Sequence, residues 1–160
     1  MTLFVSSEVM FFGGLFAAYF MLRGTAAEWP PPGSVETSLV LPVLLTVCLL
    51  ASSVTVHAGR LGATIVLGLV FLAGQAYEYA ELSHEGLAAS TDVFATLFFT
   101  ITGFHGLHVA AGLVMLTAVF LRRERYAGSA GGGPVEAVSY YWHFVDAVWV
   151  LVFLTLYVLR

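Results

Sequence analysis

The sequence predicts an all-α fold: a polytopic membrane helix bundle with five transmembrane helices, forming a single domain over residues 1–160. Three observations carry that prediction. Hydrophobic residues make up 59% of the chain and charged residues 10%, with a mean hydropathy of +0.92, whereas a soluble domain is roughly 45–50% apolar and about 25% charged. Five apolar runs each supply the ~20 residues needed to cross ~30 Å of hydrocarbon at ~1.5 Å rise per residue. All six basic residues are arginines and none lies inside an apolar run, as the cost of charge in lipid requires. The runs are about twice the ~10 residues of a barrel strand and lack strict alternation, so they read as helices.

The first span covers about 2–22. It has no basic n-region, contains Glu8 and ends at Arg23, so it reads as a retained helix and not a cleaved signal peptide. TAAEWPPPGSVE follows, and its three prolines favour an extended, exposed connection. The second span, about 37–57, holds Cys48, the only cysteine; it can form no internal disulfide and reads as small packing filler. Short turns lead to the third span, about 61–83, and the fourth, about 92–121. RRERYAGSAGGGPVE is charged, then glycine-rich, as expected of a surface loop, and the fifth span runs over about 138–159.

Five spans put the termini on opposite sides. One side receives the N-terminus, Arg60 and the Arg122, Arg123, Arg125 cluster; the other receives Arg23, Arg160, Glu28, Glu36, Glu81, Glu85 and Asp92. The positive-inside rule then predicts a cytoplasmic N-terminus and an external C-terminus. A net charge of −4 with no basic patch argues against nucleic acid as a partner.

The chemistry lies in the polar residues inside the spans: Glu8; Gln75 and Glu78; His105 and His108; His143 and Asp146. Each costs ~2.5–3.5 kcal/mol at mid-membrane if charged, so each is expected to face protein, headgroups or water. The last three pairs are spaced i,i+3, which puts each pair on one helix face, and those faces are expected to meet. Gly13 with Ala17, Gly14 with Ala18 and Gly106 with Ala110 are small-xxx-small pairs that suit close helix packing. Imidazoles on neighbouring helices can ligate iron or copper, but there is no second histidine-rich helix here. Neutral histidines hydrogen-bonded between helices are the preferred reading of His105 and His108. Counting along the helices places Glu8, His143 and Asp146 in the cytoplasmic half, His105 and His108 near the centre and Glu78 toward the far side. A His143–Asp146 pair is the simplest charge-assisted arrangement. Glu8 reads as a structural or headgroup-bonding residue ahead of a proton relay. Trp142, Trp149, Tyr140 and Tyr141 read as interface and packing aromatics.

FVSSEVMFFGGLFAAYF (4–20), LGLVFLAGQAYEY (67–79), FFTITGFHGLHVAAG (98–112) and YYWHFVDAVWVLVFLTLY (140–157), with SSVTVHAGR (52–60), closely resemble subunit III of haem-copper cytochrome c oxidase. The blocks fall in that family's order and cover nearly the whole chain. The resemblance implies a non-catalytic subunit docked on catalytic subunit I and other oxidase subunits in a bacterial plasma membrane. It implies no cofactor in this chain, with haem and copper in the partner subunits and phospholipid bound. The SEV-block glutamate, matched by Glu8, falls where the family holds phospholipid tightly, and the subunit is expected to sustain proton uptake. Gln75, Glu78, His105, His108, His143, Asp146 and Trp149 match other motif positions, for which interhelical or headgroup hydrogen bonds are expected. The family's long form has two further helices before the SEV block; in some five-span relatives they are joined to subunit I, and the same division is expected here. The equivalent subunit of a quinol oxidase or nitric oxide reductase is the alternative, and an independent transporter or metalloprotein is a more distant one.

Overall fold

A computed structural model describes residues 2–31, 38–86, 88–122 and 133–159. Five helices long and apolar enough to cross a membrane account for most of them. They are α1 (Thr2–Thr25), α2 (Val40–His57), α3 (Leu61–His84), α4 (Val93–Leu121) and α5 (Pro134–Phe153), the last running on into a π-helical turn, Leu154–Val158. The five expected spans are all present, with ends shifted by local chemistry. α1 continues through Arg23 to Thr25. α5 begins at Pro134 and not 138, because proline suits the first helical position, where no N–H is needed. α4 starts sharply where the Asp92 side chain accepts the Ala95 amide at 2.7 Å, an N-cap bond. Glu36, Arg123, Arg125, Arg160 and the glycine-rich stretch 128–132 lie outside the described residues, so part of the charge pattern behind the predicted orientation is not placed.

Two glycines permit the short turns. Gly59, at φ +71°, turns α2 into α3, and Gly86, at φ +88°, ends α3; both sit in the left-handed region where a Cβ is unfavourable.

α2, α3, α4 and α5 pack side by side as a four-helix core, with α1 laid against α4 and α5. The core closes around Trp142, whose indole is wedged between two backbones. A Cβ on Gly68 of α3 would stand 2.8 Å from one end of that ring, and a Cβ on Gly112 of α4 would stand 2.8 Å from the other. Gly106 likewise passes under Gln75, and Gly74 lies against Leu45. These close approaches are what small residues allow between helices in lipid, where packing and not water exclusion drives association.

The small pairs of α1 behave differently from the expectation. Gly13, Gly14 and Ala17 are exposed, and a Cβ at either glycine would meet nothing within 4 Å. α1 holds on instead through Phe12 and Tyr19, both buried. Tyr19 Oη donates to the Thr155 carbonyl and accepts from Trp29 Nε1, both at 3.1 Å, tying the segment after α1 to the π-helical turn.

Candidate functional site

The polar residues of the spans do not converge on one centre, as their shared spacing suggested. Apart from His105, they form four separate interhelical contacts among the described residues, each joining a different pair of helices.

Between α1 and α4, Glu8 Oε2 meets His108 Nε2 at 2.8 Å, and His108 Nδ1 lies 2.6 Å from the Phe104 carbonyl. Phe12 packs edge-on against the imidazole. Counting along the helices put Glu8 in one half of the bilayer and His108 near its centre, whereas here the two side chains stand at one level. Glu8 is about 9 Å along the helix from Thr2 and His108 about 20 Å from Leu121. With the two side by side, the end of α4 projects roughly 10 Å beyond the start of α1. The sequence carries no record of that axial offset.

His105 behaves unlike His108. It is fully buried, and neither ring nitrogen has a hydrogen-bond partner among the described residues. Its ring sits between Phe71 of α3, nearly perpendicular at 5.7 Å, and Trp149 of α5 at 5.0 Å. The expectation that both histidines bond between helices therefore holds for His108 alone. Three residues leave about 60° between two side chains on a helix, enough for them to face different neighbours.

Between α3 and α4, Gln75 Nε2 donates to the Thr102 carbonyl at 2.8 Å, and Tyr79 Oη and Thr102 Oγ1 share a hydrogen at 2.5 Å. Glu78, the other member of the Gln75 pair, turns to α5, where Tyr157 Oη stands 3.1 Å from both carboxylate oxygens.

Between α2 and α5, His143 and Asp146 do not pair directly, as had been expected. Ser53 of α2 comes between them: its hydroxyl is 2.9 Å from His143 Nδ1 and donates to Asp146 Oδ2. Alongside, Trp142 Nε1 donates to Ser52 Oγ at 2.8 Å and Trp149 Nε1 to Thr46 Oγ1 at 2.9 Å. Trp142, Trp149 and Tyr141 are thus buried packing aromatics, while Tyr140 is exposed. Cys48 is partly buried and its thiol reaches the Leu67 carbonyl.

Thr46, Ser52, Ser53, Thr102 and Tyr157 were not singled out from the sequence. One signal was available. Thr46 and Ser53 are seven residues apart, two helical turns, and so share a face; a hydroxyl-bearing stripe on an apolar span is a candidate seam. Among the described residues, no three His, Cys, Asp or Glu side chains are grouped so as to hold a metal ion.

With this geometry in hand, the comparisons with known proteins are specific. The family model for cytochrome c oxidase subunit III matches residues 1–160. The chain belongs to that family. It is 40% identical over 173 residues to cytochrome c oxidase subunit 3 of Thermostichus vulcanus, covering 98% of this chain and 84% of that one. It is 40% identical over 175 residues to the probable cytochrome c oxidase subunit 3 of Nocardia farcinica, covering 99% and 85%. The Synechocystis protein of the same name is 38% identical over 174 residues, covering 98% and 73%. As a member of the subunit III family, this chain is a multi-pass membrane protein, and its polar seams are those of a non-catalytic membrane subunit.

Proposed function

We propose that this chain is the third subunit of a cytochrome c oxidase in a bacterial plasma membrane, bracing catalytic subunit I and holding phospholipid near its proton entry. The observation that carries the assignment is the family match over the whole chain, and the relatives named above are bacterial cytochrome c oxidase subunits. Haem and copper belong to the partner subunits in this reading, and the N-terminus faces the cytoplasm. The side-chain geometry supports a bracing role: polar groups that are costly in lipid are spent mainly on joining α1–α4, α3–α4, α3–α5 and α2–α5. Phospholipid holding is supported by the Glu8–His108 pair, whose side chains remain 16–19% exposed at the α1–α4 edge, within reach of a headgroup amine or hydroxyl. Gln75, Glu78, His143, Asp146 and Trp149 serve as interhelical ties.

Purification of the tagged chain from its native membrane tests this. The expected result is a stable complex with a haem-bearing catalytic subunit, visible in a reduced-minus-oxidised spectrum, that oxidises cytochrome c. Recovery of an intact chain free of haem partners, or of one carrying its own stoichiometric metal, would overturn it.

A further inference from the structure

A cavity of about 550 Å3 opens where the end of α2 meets the start of α5, with His57, Glu136, Ser139, Tyr140 and His143 on its walls. The His57 and His143 rings lie 6.4 Å apart, centre to centre. His143 is the one residue that belongs both to this wall and to the Ser53–Asp146 contact. Asp146 itself is 4% exposed, and its Oδ1 has no hydrogen-bond partner among the described residues.

The direction of the hydrogen bonds follows from counting protons. Ser53 has one hydroxyl hydrogen and gives it to Asp146 Oδ2. It therefore accepts from His143, whose Nδ1 carries a proton. Donors run in one direction, from the cavity wall to the buried carboxylate.

We propose that Asp146 is a proton-binding site, filled and emptied from the cavity through Ser53. In filling, a His143 imidazolium, protonated by water of the cavity, passes its Nδ1 proton to Ser53 Oγ while the Ser53 hydroxyl proton passes to Asp146 Oδ2. One N–H and one O–H bond break and two O–H bonds form. His143 is left neutral with its proton on Nε2, Asp146 becomes a neutral acid, and the Ser53 hydroxyl now points back at His143. The reverse transfer empties the site.

Among the described residues the surrounding ionisable groups are few. α2 supplies His57, and α5 supplies Glu136, Tyr140 and His143. α3 has no titratable residue from Leu61 to Ala76, with Arg60 just before it. α4 brings His105, which lies on Trp149, one turn from Asp146 along α5. Glu8 of α1 is engaged by His108. The proposal does not depend on the oxidase assignment.

Infrared spectroscopy of the full chain in phosphatidylcholine liposomes tests it. The protonated-carboxyl C=O band that Asp146→Asn removes should shift rapidly when H2O is replaced by D2O. Ser53→Ala should slow that shift by about tenfold or more, and Ser53→Thr, which keeps a hydroxyl, should restore it. If Ser53→Ala does not fold, His143→Leu on the cavity wall should show the same slowing. Unchanged exchange in the folded variant, or an Asp146→Asn spectrum identical to wild type at every pH, would overturn the proposal.

Discussion

Glu8 and His108 share one proton across the α1–α4 contact, and the pair is net neutral wherever that proton sits. His108 Nδ1 faces the Phe104 carbonyl, which only accepts, so Nδ1 carries a hydrogen. One further proton then serves the 2.8 Å contact between Nε2 and Oε2. Held on the imidazole it gives an ion pair; held on the carboxyl it gives a neutral pair. Neither form places net charge in the membrane, which is how two ionisable side chains fit an apolar span.

The first prediction follows. Glu8→Gln replaces the shared proton by an amide N–H that can still donate to His108 Nε2, so the α1–α4 contact and the complex's haem content should persist. What it removes is the acidic group offered to a headgroup. Bound phospholipid, measured by mass spectrometry of the purified complex, and endurance of turnover should fall more than the initial rate. Glu8→Leu should go further, stranding a His108 nitrogen at a cost of about 1–3 kcal/mol, read as a lower thermal midpoint. Complete loss of haem in Glu8→Gln would assign the residue a different role.

The glycines give a second prediction, because they divide into two kinds. Gly112→Ala would push a Cβ to 2.8 Å from the wedged indole of Trp142, and neither the ring nor the backbone has room to yield. Overpacking of this sort costs about 1–3 kcal/mol. Gly13→Ala meets nothing within this chain and should leave the isolated subunit's thermal midpoint unchanged or slightly raised. Comparing the two variants in detergent, by thermal unfolding, checks the division; equal loss in both would contradict the packing described.

The five spans were legible in the sequence because hydropathy and length are local properties, whereas some of their ends were not: α1 runs on to Thr25 and α5 begins at Pro134, four residues before the expected start. The contacts were not legible in the same way. Which side chain meets Glu8 depends on how far α4 slides along α1, and whether His105 finds a partner depends on helix rotation. Neither is set by residue spacing within one helix. Counting could bring His143 and Asp146 to one face, but it could not show Ser53 arriving between them from α2. Sequence identified the residues that needed partners; packing between helices chose the partners.

Glu78 and Tyr157 supply a third prediction. The tyrosine hydroxyl stands 3.1 Å from both carboxylate oxygens in a site where both residues are buried. Tyr157→Phe leaves Glu78 without that donor and should cost about 1–3 kcal/mol. Glu78→Leu removes the polar group that needed the donor. The double variant should therefore be less destabilised than the sum of the two single ones, a coupling of about 0.5–3 kcal/mol in a double-mutant cycle. Additive effects would mean that the contact contributes nothing of its own.

The last prediction concerns His105, a fully buried histidine with no hydrogen bond among the described residues. A buried polar group without a partner is a net cost, since it has given up water and received nothing in return. What holds His105 in place is ring packing against Phe71 and Trp149. An apolar side chain of similar bulk keeps much of that contact and removes two polar atoms. His105→Leu should therefore leave the thermal midpoint unchanged or raise it, whereas His108→Leu, which strands Glu8, should lower it. The two variants differ by three positions on one helix, so a general intolerance of α4 to substitution would lower both. A loss for His105→Leu as large as that for His108→Leu would mean that its nitrogens bond to something in the assembled membrane complex, and lipid or a partner subunit would then be sought at that depth.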